Sequence, residues 1–323
     1  MRPLSPRCGI AHEVLMLEIF LKTLPFFALI ATGYLAGRTR FFTPEATAYL
    51  TKFVFYFALS AMLFGFAANL SLGAIFDWNF VAAYLGASLA IYALAFVIGR
   101  MRGVSVEEAA VEAQCAVIGN VGFLGIPMLV LLLGQAAAGP LLLVLSIDLI
   151  VFSSLITLVI TARREGSVSF GVIRVLIVGL LKNPMIVAVV LGLAWGASGW
   201  MVPVPVNEYL TTLGAAATPG ALFAIGASLA GRSAERMQVA GWLAFCKLVL
   251  HPAAVGLLAF RVFPVDAFSA AVMVAAASLP VAGNVYILAA HYGVAPQRVS
   301  TAILISTAIS ILTVTVVIGL VGR

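Results

Sequence analysis

Charge is scarce in this chain. Asp, Glu, Lys and Arg together make up 9% of its 323 residues, whereas 63% are hydrophobic. A soluble fold of this length needs a charged skin over its core, so a soluble globular domain is excluded. Cysteine is scarce too. Cys8, Cys115 and Cys246 have neither disulfide-framework nor metal-site spacing. Cys115 and Cys246 fall in apolar runs, where a thiol acts as a small apolar side chain. His-Glu-x-x-His, a paired-aspartate metal motif, Gly-x-Ser-x-Gly and a phosphate loop are all missing. We therefore expect no enzyme activity, no metal, no cofactor and no direct use of ATP. A cleavable signal peptide is also lacking: the first apolar run is long enough to span and has no clear cleavage site.

What the chain has is apolar length. A bilayer span needs about 20 mostly apolar residues. Ten candidates run roughly over 15–36, 47–68, 80–99, 107–133, 139–162, 183–200, 207–230, 239–262, 266–290 and 299–321. They are apolar all round, as helices buried in lipid and in one another must be. The fold class is an all-α polytopic membrane protein. Small-residue runs such as 214–217 and 275–278 would let helices approach closely.

The net charge of +6 follows a pattern. Connections after odd-numbered spans carry Arg38, Arg40, Arg100, Arg102, Arg163, Arg164, Arg174, Lys182, Arg232, Arg236 and Arg298, and those after even-numbered spans carry Arg261 alone. The positive-inside rule makes the odd connections cytoplasmic and puts both termini outside. The expected location is a membrane, crossed many times. The basic balance needs no nucleic-acid partner. Residues 1–15 read as a disordered N-terminal extension, because they differ from the rest and Met16 would start the chain equally well.

The two halves resemble each other. At an offset of 159, Pro25 falls on Pro184, Gly33 on Gly192, Gly37 on Gly196 and Pro44 on Pro203. Leu63 and Phe64 fall on Leu222 and Phe223 at the same offset. Five spans per half force the second half to insert upside down, which gives an inverted repeat. The repeats are 16–162 and 183–323. Between them, 163–182 mixes Arg163, Arg164, Arg174 and Lys182 with apolar residues and reads as an amphipathic helix on the inner membrane surface.

Gly-Asn-Val occurs once in each half, at Gly119-Asn120-Val121 and Gly283-Asn284-Val285. Pro127 follows the first and Pro280 precedes the second. Gly costs a helix interior about 1 kcal/mol and Pro about 3. The fourth and ninth spans should therefore be broken. Backbone groups freed in lipid must find partners in protein or in a water-filled cavity. Asn120 and Asn284 supply donors and acceptors there. Half-helix N-termini present positive dipole ends, which suit a carboxylate. Gly119, Asn120, Pro127, Pro280 and Asn284, with Ser60 as a lining hydroxyl, form the candidate substrate site.

These residues carry a resemblance. The segment 119–127, the segment 279–289 with Tyr292-Gly293 after it, and the opening 24–37 are similar to the auxin efflux carrier family. The likeness covers the chain from about Met16. It implies ten helices in a scaffold and a transport part, with the fourth and ninth spans crossing at the substrate site. It also implies elevator-like alternating access and an organic-anion substrate, auxin in plant relatives and small carboxylates such as malonate or malate in bacterial ones. The family's crossover asparagines fall on Asn120 and Asn284, and its crossover prolines on Pro127 and Pro280. The long central loop of many plant members has no counterpart here.

Ionisable residues inside spans are costly and mark function by default. Asp148 lies near mid-depth in the fifth span, and Lys247 and His251 share a face of the eighth. Asp148 has three readings: a proton or cation coupling site, a structural partner of Lys247 or His251, or a pathway residue. Glu107, Glu108 and Glu112 open the fourth span, where a helix N-terminus favours them. The leading expectation is a secondary carrier of small organic anions, with lipid around it and a homodimer admitted. The alternatives are a sodium- or proton-coupled antiporter or symporter of related fold, and a non-transporting membrane sensor.

Overall fold

The computed structural model describes residues 6–70, 76–165, 170–231 and 236–321. It is helical throughout, and among the described residues it has no strand. Seven helices are long and apolar enough to cross a membrane. They are α1 (Pro6–Arg38, apolar from Leu17), α2 (Pro44–Ala68), α3 (Trp78–Met101), α6 (Gln135–Arg163), α9 (Val204–Ala230), α10 (Met237–Val262) and α13 (Pro296–Val321). The remaining three apolar segments hold shorter helices: α4 (Val106–Val117) and α5 (Val121–Leu133), α8 (Pro184–Ala197), and α11 (Ala267–Ala277) and α12 (Gly283–Tyr292). α7 (Phe170–Lys182) lies within the basic joining segment. Among the shorter helices, α8 is only 14 residues long. It ends in a turn at Gly199, whose φ of 71° suits glycine. Residues 1–5 lie outside the described residues, and with them part of the expected N-terminal extension.

Helix starts follow local chemistry. Thr43, Asp77, Ser105, Asn183 and Asp266 each accept a backbone N–H of the first turn, at 2.8–3.2 Å. Pro44 and Pro184 occupy first-turn positions, where a missing N–H costs nothing. Large apolar residues such as Leu35, Leu131 and Leu312 stand exposed, as lipid-facing residues do.

Two helix pairs pack with backbones nearly touching. α1 lies against α9, and α2 against α8. A Cβ on Gly33 would sit 2.0 Å from the Phe223 carbonyl oxygen, and one on Gly37 2.7 Å from that of Ala227. A Cβ on Gly192 would sit 2.8 Å from the Phe64 carbonyl oxygen, and one on Gly196 3.1 Å from that of Ala68. The pairs are reciprocal: the offset of 159 that maps Gly33 on Gly192 and Gly37 on Gly196 also maps Phe64 on Phe223 and Ala68 on Ala227. Only glycine lets helices meet this closely.

Candidate functional site

Both suspect segments are interrupted, and the interruptions touch. α4 ends at Val117 and α11 at Ala277. Between α4 and α5, and between α11 and α12, the chain leaves the helix and forms an antiparallel bridge from Gly119 to Val281. Asn120 N–H donates to the Pro280 carbonyl at 2.9 Å, and Ala282 N–H donates to that of Ile118 at 3.0 Å. Ser306 of α13 accepts from Val281 N–H at 3.1 Å. Each break thus satisfies the other's freed backbone groups, as a low-dielectric setting demands.

The prolines play unequal parts. Pro280 lies in its break and supplies the carbonyl that Asn120 uses. Pro127 sits in the first turn of regular helix beyond a wide π-helical turn at Val121–Gly125, so the interruption falls before it. Gly119 is small for a reason: a Cβ there would lie 3.2 Å from the Ala276 carbonyl oxygen and 3.3 Å from Lys247 Nζ.

A cavity of about 610 Å³ borders the breaks. Asn120 and Asn284 line it, with Val281, Gly283 and Tyr286 beside them. It extends to Gly37, Phe42 and Pro44 at the α1–α2 connection and to Gly231 at the end of α9. Thr47 and Thr51 of α2, Ser228 of α9 and Thr307 of α13 add hydroxyls. Among the described residues, no Lys, Arg, His, Asp or Glu lines it. Asn120 is 4% exposed, and the Oδ1 atoms of Asn120 and Asn284 have no hydrogen-bond partner. The first turn of α12 starts at this cavity.

The other singled-out residues lie elsewhere. Ser60 donates to the Phe55 carbonyl of its own helix at 3.1 Å and is not part of the cavity wall. Asp148, Lys247 and His251 also do not line it. They belong to a fully buried polar cluster behind the breaks. Tyr84 donates to Asp148 Oδ1 at 2.9 Å, while Asp148 Oδ2 has no partner. Lys247 Nζ donates to the Ala277 carbonyl, where α11 ends and its dipole is negative. Lys247 Nζ also lies 3.3 Å from His251 Nδ1, and His251 Nε2 lies 2.9 Å from Ser88 Oγ. With Lys247 protonated, Nδ1 accepts from it and Nε2–H faces the serine. The cluster joins α3, α6 and α10 to the end of α11, and the Lys247 stem touches Gly119's position.

Sequence reasoning missed a second buried group. Glu112 of α4 accepts from both Arg102 and Arg298, and Glu108 lies 3.8 Å from Arg298. Arg298, counted as a loop charge, is in fact buried in the first turn of α13.

These features define a polytopic membrane protein whose two broken helices border a largely apolar cavity with a few amide and hydroxyl groups in its wall. A family model described as "Membrane transport protein" matches residues 18–318. A protein of Rhizobium meliloti (strain 1021) named "Putative malonate transporter" is 32% identical over 307 residues, 93% of this chain and 95% of the relative. The chain belongs to the membrane transport protein family, that of the auxin efflux carriers, and is a transporter, not an enzyme.

Proposed function

We propose that the chain is a secondary carrier of small organic anions, with dicarboxylates such as malonate or malate as the first candidates and auxin-like acids as the second. One observation carries this reading: paired helix breaks present two asparagines and a half-helix N-terminus to a cavity of about 610 Å³. Amide donors and a positive dipole end suit a carboxylate. The relative's printed name points to malonate.

In this reading the ten apolar segments form two inverted five-helix repeats. The reciprocal contacts of Gly33 with Phe223 and Gly192 with Phe64 support it, because a two-fold relation between halves requires such pairs. The fourth and ninth spans, α4–α5 and α11–α12, are the crossover helices. The cavity ends at connections that the arginine pattern makes cytoplasmic, so this conformation faces inward. α7 then lies on the inner surface of a bacterial inner membrane, and both termini lie outside. Alternating access proceeds by elevator-like movement of the broken-helix part against the α1, α2, α8 and α9 scaffold.

Uptake of radiolabelled malonate and malate into proteoliposomes tests the proposal. Saturable flux that Asn120→Ala and Asn284→Ala each lower at least about tenfold, in variants that unfold like the parent, is the expected result. Folded protein with no saturable flux for any small carboxylate would sink it. A second reading, coupling to a proton or sodium ion at Asp148, has one supporting observation, the unpartnered buried Oδ2.

A further inference from the structure

We infer that the species carried across the membrane bears a single negative charge, so that a dicarboxylic acid crosses with one carboxyl protonated. This rests on the organic-anion reading above and adds the charge state of the substrate.

Among the described residues, the cavity wall contains no cationic side chain. The buried cations nearby are already engaged. Lys247 is held by the Ala277 carbonyl and His251 behind the Gly119 break. Arg298 and Arg102 are bound to Glu112. Arg38 and Arg40 stand exposed near the mouth and attract any anion, whatever its charge. Tyr286 lines the cavity too, but a phenol is not a cation in either protonation state.

Among the described residues, the remaining positive potential at the cavity comes from backbone. α5 and α12 both begin at the breaks, and each helix N-terminus is worth roughly half an elementary charge. Together they offset about one negative charge. While the cavity is open, water can screen a second carboxylate. During the crossing water is excluded, and a second charge would have no partner in a low-dielectric interior. Protonating it removes that charge and creates an O–H donor. Asn120, nine-tenths buried, brings an amide oxygen that lacks a donor to this wall. A proton then travels on the substrate itself, and no protein carboxylate is needed at the cavity.

The test measures proteoliposome uptake kinetics as a function of external pH, with malonate and with malonamate, which is a fixed monoanion. Expressed as total malonate, KM should rise about tenfold per pH unit above the second carboxyl's own titration, as mass action on hydrogen malonate requires. The KM of malonamate should stay flat. A malonate KM that is constant, or falls as pH rises, means that the dianion is carried and overturns the inference. Parallel pH dependence for both acids places the titrating group on the protein and also overturns it. Saturable uptake of neither acid at any pH is a different failure, that of the organic-anion reading itself.

Discussion

Replacing Glu112 with Gln should destabilise the fold far more than removing the arginine that flanks it at the surface. Glu112 has a 1% exposed side chain and lies in α4, the helix that runs into the first break after Val117. One of its oxygens accepts from Arg298, whose side chain is 7% exposed, and the other from Arg102, which is 31% exposed. Without the carboxylate, Arg298 keeps only Glu108, 3.8 Å away and 35% exposed. Breaking a buried pair by removing one partner costs about 3–5 kcal/mol. Glutamine keeps a carbonyl acceptor, so Glu112→Gln should fall near the low end, about 3 kcal/mol. Arg102→Gln leaves the Glu112–Arg298 pair intact and should cost roughly 0–1 kcal/mol, as partly exposed ion pairs do. Glu112→Leu combined with Arg298→Met should be milder than either change alone, since no buried charge is then left unpaired. Unfolding in SDS titrations, followed by circular dichroism, measures all of these. If Glu112→Gln unfolds with the parent while Arg102→Gln matches or exceeds its loss, the assignment of Glu112 as the buried anchor is wrong.

Three further outcomes are expected. Gly33→Ala drives a methyl into the Phe223 carbonyl and should cost about 1–3 kcal/mol in the same titration, an overpacking penalty. Asn120→Ala should lower malonate uptake at least about tenfold, the loss of one hydrogen bond to a charged group, without shifting the unfolding curve. Thr51→Cys, in a variant without native cysteines, should react with a membrane-impermeant maleimide from the cytoplasmic side and be protected by substrate; reaction from the outside only would refute the inward-facing assignment.

The two breaks are visible in the sequence because Gly, Asn and Pro are wrong for a lipid-buried helix, and a penalty of that size needs no tertiary context. Which residue marks the break is less visible. Pro127 reads as a breaker, yet it sits in the first turn of regular helix, where its missing N–H is harmless. The pairing of Asn120 N–H with the Pro280 carbonyl joins residues 160 positions apart in sequence, and no local pattern encodes that partner. The same kind of separation hides the Glu112–Arg298 pair, since charge counting by connection treats each arginine singly. Ser60 shows the converse error: a hydroxyl in an apolar helix suggests a lining role, but its acceptor is its own helix backbone.

Glycine carries the most information for its size. Gly33 and Gly192 match in sequence by offset alone, with no account of what they touch. In the fold, Gly33 receives the backbone of α9 at Phe223 and Gly192 that of α2 at Phe64, and these two residues themselves match at that offset. Two close approaches falling into register is what the proposed two-fold relation between the halves requires, because each contact across such an axis is made twice. The side chains that differ between the halves are then the ones free to specialise. Asn120 lies in its break whereas Asn284 lies in the first turn of α12, so the two amides meet the cavity from unlike backbones. A carboxylate held between them would therefore be gripped asymmetrically, one side by a helix start and the other by the tight turn at Asn120.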